Sequence, residues 1–335
     1  MSEVAKAAKV SRQLVGFVFS NQPGASPETA KKIRRVAKEI GYHPNLAAQS
    51  LRRNAPKNIG VIFHSEEAVM AELLPSLHAE AQGLGFDLIL SSVNEEHNEN
   101  SAVESLIGHR CSGIILISSQ LSTNRLKNLA REIPIVSIGR RLIGVNCGVV
   151  SSHGEFGMET AVDYLVSLGH KSIAYVEGPD MLDSEYRLAG YKKSIRKNRL
   201  KQDIVSLPGD FAASGGAAAA DIIIHRESLP TAIICNNDES AMGLWHRLMQ
   251  AGIRIPRQIS IVGYDDSIAK YPFLNMTSIR QDSRELAAAA VRDIAGRIAG
   301  EIRTSKIYLT SANLVVRTST CKPMKRAISG SKLCK

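Results

Sequence analysis

Residues 4–51 read VAKAAKVSRQLVGFVFSNQPGASPETAKKIRRVAKEIGYHPNLAAQSL, and three short amphipathic segments lie within or just ahead of that stretch. Ser2 is placed to cap a helix over residues 3–8, with Val4, Ala7 and Ala8 on its apolar side. Lys9-Val10-Ser11 reads as a tight turn whose Ser11 caps a second helix running to about Ser20. On that helix Leu14, Val15, Val18 and Phe19 form the inward stripe, which leaves Arg12, Gln13, Gly16 and Phe17 facing out. Pro23-Gly24-Ala25 breaks the chain. Ser26-Pro27-Glu28 then supplies a capping hydroxyl, a proline at the first helical position and an acid in the first turn. The third helix turns Ala30, Ile33, Val36, Ala37 and Ile40 inward and ends at Gly41. Two short helices joined by a tight turn and backed by a third describe an all-α helix-turn-helix head over residues 1–44.

The charge distribution agrees with a polyanion-binding head. Residues 1–57 hold eleven Lys/Arg against three acids, whereas residues 58–316 hold 25 basic and 29 acidic side chains. Residues 317–335 add six bases and no acid, so the net charge of +10 sits at the two ends. A solvated charged face would give the same count; it is the helical context that tips the balance towards nucleic acid.

From Asn58 onward apolar strand runs alternate with amphipathic helices, the pattern of parallel α/β sheets. Strands are expected at 59–63, 87–91, 113–117 and 134–138 in a first lobe, and at 172–176, 231–235 and 259–263 in a second. Helices fall between them, among others at 68–83, 155–168, 185–198, 238–251 and 283–299. Ligands of such sheets gather beyond the carboxyl ends of the strands. That rule singles out Asn237 after 231–235 and Asp265 after 259–263, with Arg187 on the helix after 172–176. Asp238 and Asp266 are better read as caps of helices and turns.

Several short motifs then occur in order: Val4-Ala5, Val10-Ser11, Val15, Val18, Ser26-Pro27-Glu28-Thr29 and Gly41-Tyr42-His43-Pro44-Asn45, followed by Ala48 and Leu51. In this combination the chain resembles the lactose/galactose-repressor (LacI/GalR) family. The resemblance implies a hinge helix at 45–52, within a hinge and linker segment 45–57, that forms on operator DNA and wedges Leu51 into the minor groove. Unstacking a base step costs a few kcal/mol, which the contacts of a bent duplex offset. The DNA-facing set is then Ser11, Arg12, Gln13 and Phe17 from the head, with Asn45, Ala48 and Leu51 from the hinge. It also implies a periplasmic-binding-protein-like core of two doubly wound parallel sheets over 58–318, reached by three crossings between lobes. Lobe 1 would cover about 58–153 and 283–310, and lobe 2 about 154–282 and 311–318. By the same resemblance Arg187 and Asp265 clamp the polar groups of an effector, Asn237 and Gln281 assist, and Phe211 offers an aromatic wall. A charged pair with amides and one ring suits a neutral polyhydroxylated ligand, such as a sugar.

The chain departs from that family where Lys9 stands for a common Gly, Leu14 and Gly16 for hydroxyl residues, and Phe17 for a polar base-reader. Relatives also begin a few residues earlier, with a Thr capping the first helix. In the core, Ala68-Val69-Met70 replaces frequent aromatics and His153-Gly154 a frequent Asp-Asn. The operator sequence and the effector therefore do not carry over.

No GxGxxG follows a strand, and GxxxxGK[ST], GxSxG and HExxH are all missing. The expectation is a chain with no enzyme activity, cofactor or metal. The five cysteines Cys111, Cys147, Cys235, Cys321 and Cys334 are scattered, which suits reduced thiols. No apolar run approaches the ~20 residues of a membrane span, and Met1–Lys6 lead into no signal-peptide core. We therefore expect a cytoplasmic, homodimeric repressor that binds double-stranded operator DNA under control of a small metabolite. A solute-binding protein of a transporter, which shares the core fold, is the alternative. The last segment, 319–335, is expected to be a basic, disordered tail.

Overall fold

The computed structural model describes residues 1–19, 22–42, 57–94, 96–140, 142–178, 182–205 and 212–324. The chain divides into two compact units, Met1–Lys57 and Asn58–Lys335. Asn45, Ala48, Leu51 and the hinge helix at 45–52 lie outside the described residues, as do Phe211 and residues 325–335.

In the first unit, helices α1 (Ser2–Ala8), α2 (Arg12–Phe19) and α3 (Pro27–Glu39) enclose Val4, Ala8, Val15, Val18, Ile33, Val36 and Ala37. The rings of Phe19 and Tyr42 close the cluster with centroids 5.6 Å apart. Ser26 caps α3 by accepting the Thr29 N–H at 3.2 Å. Three sequence expectations need correction. Ala7 of α1 is exposed, and Ala5 is buried beside Val4 and Ala8 instead. Ser2 is the first helical residue rather than the cap, a position that Met1 fills with no side-chain bond. Ile40 does not face inward: α3 ends at Glu39, and the side chain beyond that last turn is 44% exposed. Lys9, at the end of α1, sits at φ 54°, the left-handed region in which a Cβ costs energy. That conformation is the physical reason a glycine suits this turn.

The second unit runs β1 (Asn58–His64), α4 (Met70–Gly83), β2 (Asp87–Val93), α5 (Glu99–Gly108), β3 (Gly113–Ile117), α6 (Thr123–Glu132), β4 (Ile135–Ile138) and β5 (Gly148–Ser152). It continues through α7 (Gly154–Ser167), β6 (Ile173–Val176), α8 (Leu182–Lys197), β7 (Ile204–Val205), α9 (Ala213–Ile224), β8 (Ala232–Cys235), α10 (Asp238–Gln250), β9 (Ser260–Asp265) and β10 (Thr277–Gln281). Helix α11 (Ser283–Ile298), β11 (Lys306–Thr310) and β12 (Ala312–Val315) complete it. One sheet has the order β11-β5-β4-β3-β1-β2 and is parallel throughout. The other has the order β12-β10-β9-β8-β6-β7, and only its edge strand β12 runs antiparallel.

Each sheet is covered on both faces, which is why its central strands are continuous apolar runs. In β1, Ile59, Val61 and Phe63 pack under α4 and α11, while Ile62 turns to the opposite cluster with Leu106 and Leu126. In the other sheet Ile233 and Ile261 face one cluster, and Ile234, Val262 and Tyr264 the other. Helix α11 thus returns to the first sheet after β10 has completed part of the second. Gly216 and Gly243 let α9 and α10 meet backbone to backbone: a Cβ on Gly216 would collide with the Ser240 carbonyl, and one on Gly243 with that of Ala213.

Residues 319–324, expected to be disordered, are instead fixed in the structure. Ser319 is fully buried, its Oγ donating to the Ile261 carbonyl at 2.6 Å, and the Cys321 carbonyl meets His170 Nε2 at 2.9 Å. Backbone groups at the amino-terminal ends of β9 and β10 are satisfied by this segment. Among the described residues no helix is long and apolar enough to cross a membrane.

Candidate functional site

In the first unit, Ser11 accepts the Leu14 N–H at 3.1 Å and so opens α2. Arg12 and Gln13 are exposed on its first turn, which carries no acid. Phe17 is half-buried, its ring lying where a Cβ on Gly24 would come within 2.9 Å. The first turn of α2 therefore offers a cation and an amide to an anionic, hydrogen-bonding partner, with Phe17 as its apolar flank.

In the second unit the strand ends of the two sheets face a cleft that opens to solvent. Arg187, Asn237, Asp265 and Gln281, on four different elements, all line it. Arg187 lies in the second turn of α8, which begins at Leu182, earlier than the sequence pattern suggests. Its guanidinium donates to the Asn236 carbonyl, sits 3.9 Å from Asp265 Oδ1, and stacks with its carbon 3.7 Å from the Tyr264 ring centroid. Gln281 Nε2 donates to Asp265 Oδ1 at 2.6 Å. Asn237 caps α10 by accepting the Ser240 N–H at 2.9 Å. Asp265 is the last residue of β9 and holds φ at 103°, with Asp266 next at 57°. Such backbone costs of order 1–3 kcal/mol and tends to collect at ligand-binding positions.

Burial pushes the Asp265 carboxyl well above the ordinary range, against the pull of the Arg187 charge. The first-sheet side adds Glu67, just past β1, whose carboxyl burial pushes up to about 7 against the lowering influence of His64. Glu239, in the first turn of α10, accepts the Ala68 N–H at 2.8 Å with Oε1, a bond that joins the second-sheet side of the cleft to the first. Its Oε2 is buried with no hydrogen-bond partner among the described residues. Val69, Met70, Leu73 and Leu286 supply the apolar part of the lining.

Two further contacts cross the cleft. Ser152 Oγ and the Tyr264 hydroxyl are 2.8 Å apart, and Lys270 pairs with Glu72 of α4.

Asp238 and Asp266 have structural work, which explains their exclusion from the site. Asp238 accepts the N–H groups of Ser267 and Ala269 and the Ser278 hydroxyl. Asp266 pairs with Arg280 at 2.7 Å and Arg317 at 2.6 Å. Glu67 and Glu239 were not singled out by the sequence reading. Glu67 obeys the same strand-end rule but sits in Ser65-Glu66-Glu67, which looks like a solvated loop. Glu239 looks like a first-turn acid that complements the helix dipole. Among the described residues no three His, Cys, Asp or Glu side chains come together to hold a metal ion.

Comparisons with known proteins give the same architecture. Residues 1–45 match the family described as bacterial regulatory proteins, lacI family, and residues 162–320 match a periplasmic binding protein-like domain. The chain is similar to the HTH-type transcriptional repressor PurR of Vibrio atlanticus (strain LGP32), 28% identical over 95% of this chain and 98% of the relative. The crystal structure of a LacI transcriptional regulator from a Rhodococcus species is 31% identical, covering 79% of this chain and 98% of that one, with a TM-score of 0.75. The lac repressor dimer bound to operator and the anti-inducer ONPF is 26% identical, covering 95% and 98%, with a TM-score of 0.79.

Proposed function

The chain belongs to the lacI family of bacterial regulatory proteins, and from that premise we propose that the cleft around Arg187 and Asp265 is where a small, sugar-like effector acts. The protein is a DNA-binding transcriptional regulator controlled by a small molecule. In our reading it is a cytoplasmic homodimeric repressor without catalytic activity. Arg12 and Gln13 read the operator, Ser11 and Phe17 position that turn, and Asn45, Ala48 and Leu51 engage the minor groove.

The observation that carries the effector assignment is the meeting of Arg187, Asn237, Asp265 and Gln281, which come from four elements, on one cleft between two sheets. Hydroxyl groups of a polyol can donate to Asp265 and accept from Arg187, which fixes orientation, while Met70, Leu73 and Leu286 cover an apolar face. Coupling follows from linkage: a ligand shifts the equilibrium between cleft states only by its difference in affinity for them. The Glu239–Ala68 bond and the Ser152–Tyr264 pair both span the cleft, so ligand seated there bears on the contacts that distinguish its states.

A solute-binding protein would use the same core, but it has no use for a basic helix-turn-helix unit at residues 1–45. The test is a thermal-shift screen of the full chain against neutral sugars, amino sugars, sugar phosphates and purines. At least one sugar-like compound should raise the unfolding temperature of the wild type and fail to do so with Arg187→Ala. A compound that stabilises both equally would place the effector elsewhere.

A further inference from the structure

We propose that the effector carries a protonated amine, in the manner of an amino sugar, and that Glu239 and Glu67 hold its ammonium group. This rests on the assignment of the cleft as the effector site and concerns the charge of what enters it.

Among the described lining residues the cleft presents three carboxyl groups, Glu67, Glu239 and Asp265, and one fixed cation, Arg187. Arg187 is already engaged by the Asn236 carbonyl, Asp265 and the Tyr264 ring. The His64 and Arg187 charges both reach Glu67, whereas among the described residues Glu239 makes no ion pair with a lining cation. Glu239 uses Oε1 for the Ala68 N–H and leaves Oε2 buried with no hydrogen-bond partner among the described residues. A buried acceptor in that condition costs free energy until a donor arrives, and a charged donor recovers the most.

The mutual influence of these groups points the same way. Glu239 makes it harder for both Glu67 and Asp265 to ionise. A cation among them would reverse that repulsion, whereas a phosphate or carboxylate would add to it. A metal ion is the other cation to consider, but no group of three potential ligands comes together among the described residues. An ammonium group needs only two or three acceptors and tolerates their geometry. Glu239 Oε1, which accepts the Ala68 N–H, would tie the residue that holds the amine to the opposite side of the cleft, so the side chain that selects the ligand also joins the two sheets' sides.

The test is isothermal titration calorimetry of the full-length protein at pH 7. The probes are glucosamine, galactosamine and mannosamine, their parents glucose, galactose and mannose, and glucose 6-phosphate. At least one amino sugar should bind at least tenfold more tightly than its parent sugar. Glu239→Gln keeps an acceptor for Ala68 but removes the charge, and should abolish that preference; Glu67→Gln should reduce it independently. A parent sugar or the phosphate binding as tightly as the amino sugars would overturn the proposal. A preference unchanged in both variants would overturn it as well. In either case Arg187→Ala still reports on the cleft: binding lost there upholds the effector site while the amine is rejected. If none of the seven probes binds the wild type, the amine proposal and the sugar-like reading both fail.

Discussion

The Arg187 guanidinium stacks on the Tyr264 ring at 3.7 Å, and the Tyr264 hydroxyl lies 2.8 Å from Ser152 Oγ at the end of a strand in the other sheet. The aromatic ring thus supports the Arg187 guanidinium on its face and joins the two sheets through its hydroxyl. Tyr264→Phe keeps the face and deletes the bond. Because Ser152 is then left buried without that partner, the variant should lose roughly 1–3 kcal/mol of stability. Urea unfolding of both proteins reads this as a lower midpoint, and an unchanged midpoint would mean that the pair contributes nothing.

Replacing Gln13 or Arg12 by Ala should cost about 1–3 kcal/mol in operator affinity and relax the preference at particular base pairs. Both side chains are exposed on the first turn of α2, so the fold should be undisturbed. Anisotropy titrations on cognate and random duplexes make the comparison. Equal weakening on both would reduce these residues to phosphate contacts.

At the end of α1, Lys9→Gly should stabilise the head, because φ 54° is unfavourable for a residue with a Cβ. The gain is of order 1 kcal/mol, offset in part by the extra freedom glycine has when unfolded. Thermal unfolding followed by circular dichroism should register it, and a loss of stability would show that the lysine side chain makes a contact worth more than the strain.

Stability should also depend on pH through Glu67. Burial lifts its carboxyl from an ordinary 4.5 to about 7, with His64 and Arg187 lowering it and Glu239 raising it. A folded-state value above the unfolded one means that the folded protein binds more protons between those limits. Stability from this group is therefore present in full below about pH 4.5 and is lost as pH rises through about 7. His64, also raised, acts with the same sign, its contribution lost as pH climbs above 6.5. Melting temperatures from pH 5.5 to 8 should fall more steeply for the wild type than for Glu67→Gln. Parallel curves would show that Glu67 keeps an ordinary carboxyl.

The parts legible in the sequence were those with a strong local cause. The capping sequence Ser26-Pro27-Glu28 marks α3, and apolar runs such as Ile59–Phe63 mark strands buried on both faces. The short or half-exposed strands were not expected: β5 ends in Ser151-Ser152, and β11 exposes Ile307 and Leu309 at a sheet edge. Their strand character comes from pairing partners far away in the sequence, with Lys306 beside Gly148 and Gln281 beside Ala312. The site divides similarly. Asn237, Asp265 and Arg187 follow from strand ends, and Gln281 from motif resemblance. Glu67 and Glu239 gain their meaning only when two sheets are brought face to face, which no local pattern encodes.

The central claim is that the cleft around Arg187 and Asp265 governs operator binding, and operator affinity measured with and without effector tests it most directly. Arg187→Ala leaves Asp265 with Gln281 alone, and Asp265→Ala leaves Arg187 without its counter-charge. Each should raise the effector concentration needed for a response at least about tenfold, the equivalent of ~1.4 kcal/mol. Operator affinity without effector should remain close to wild type, since Arg12 and Gln13 are untouched. If both variants respond at wild-type effector concentrations, the control of this regulator does not pass through that cleft.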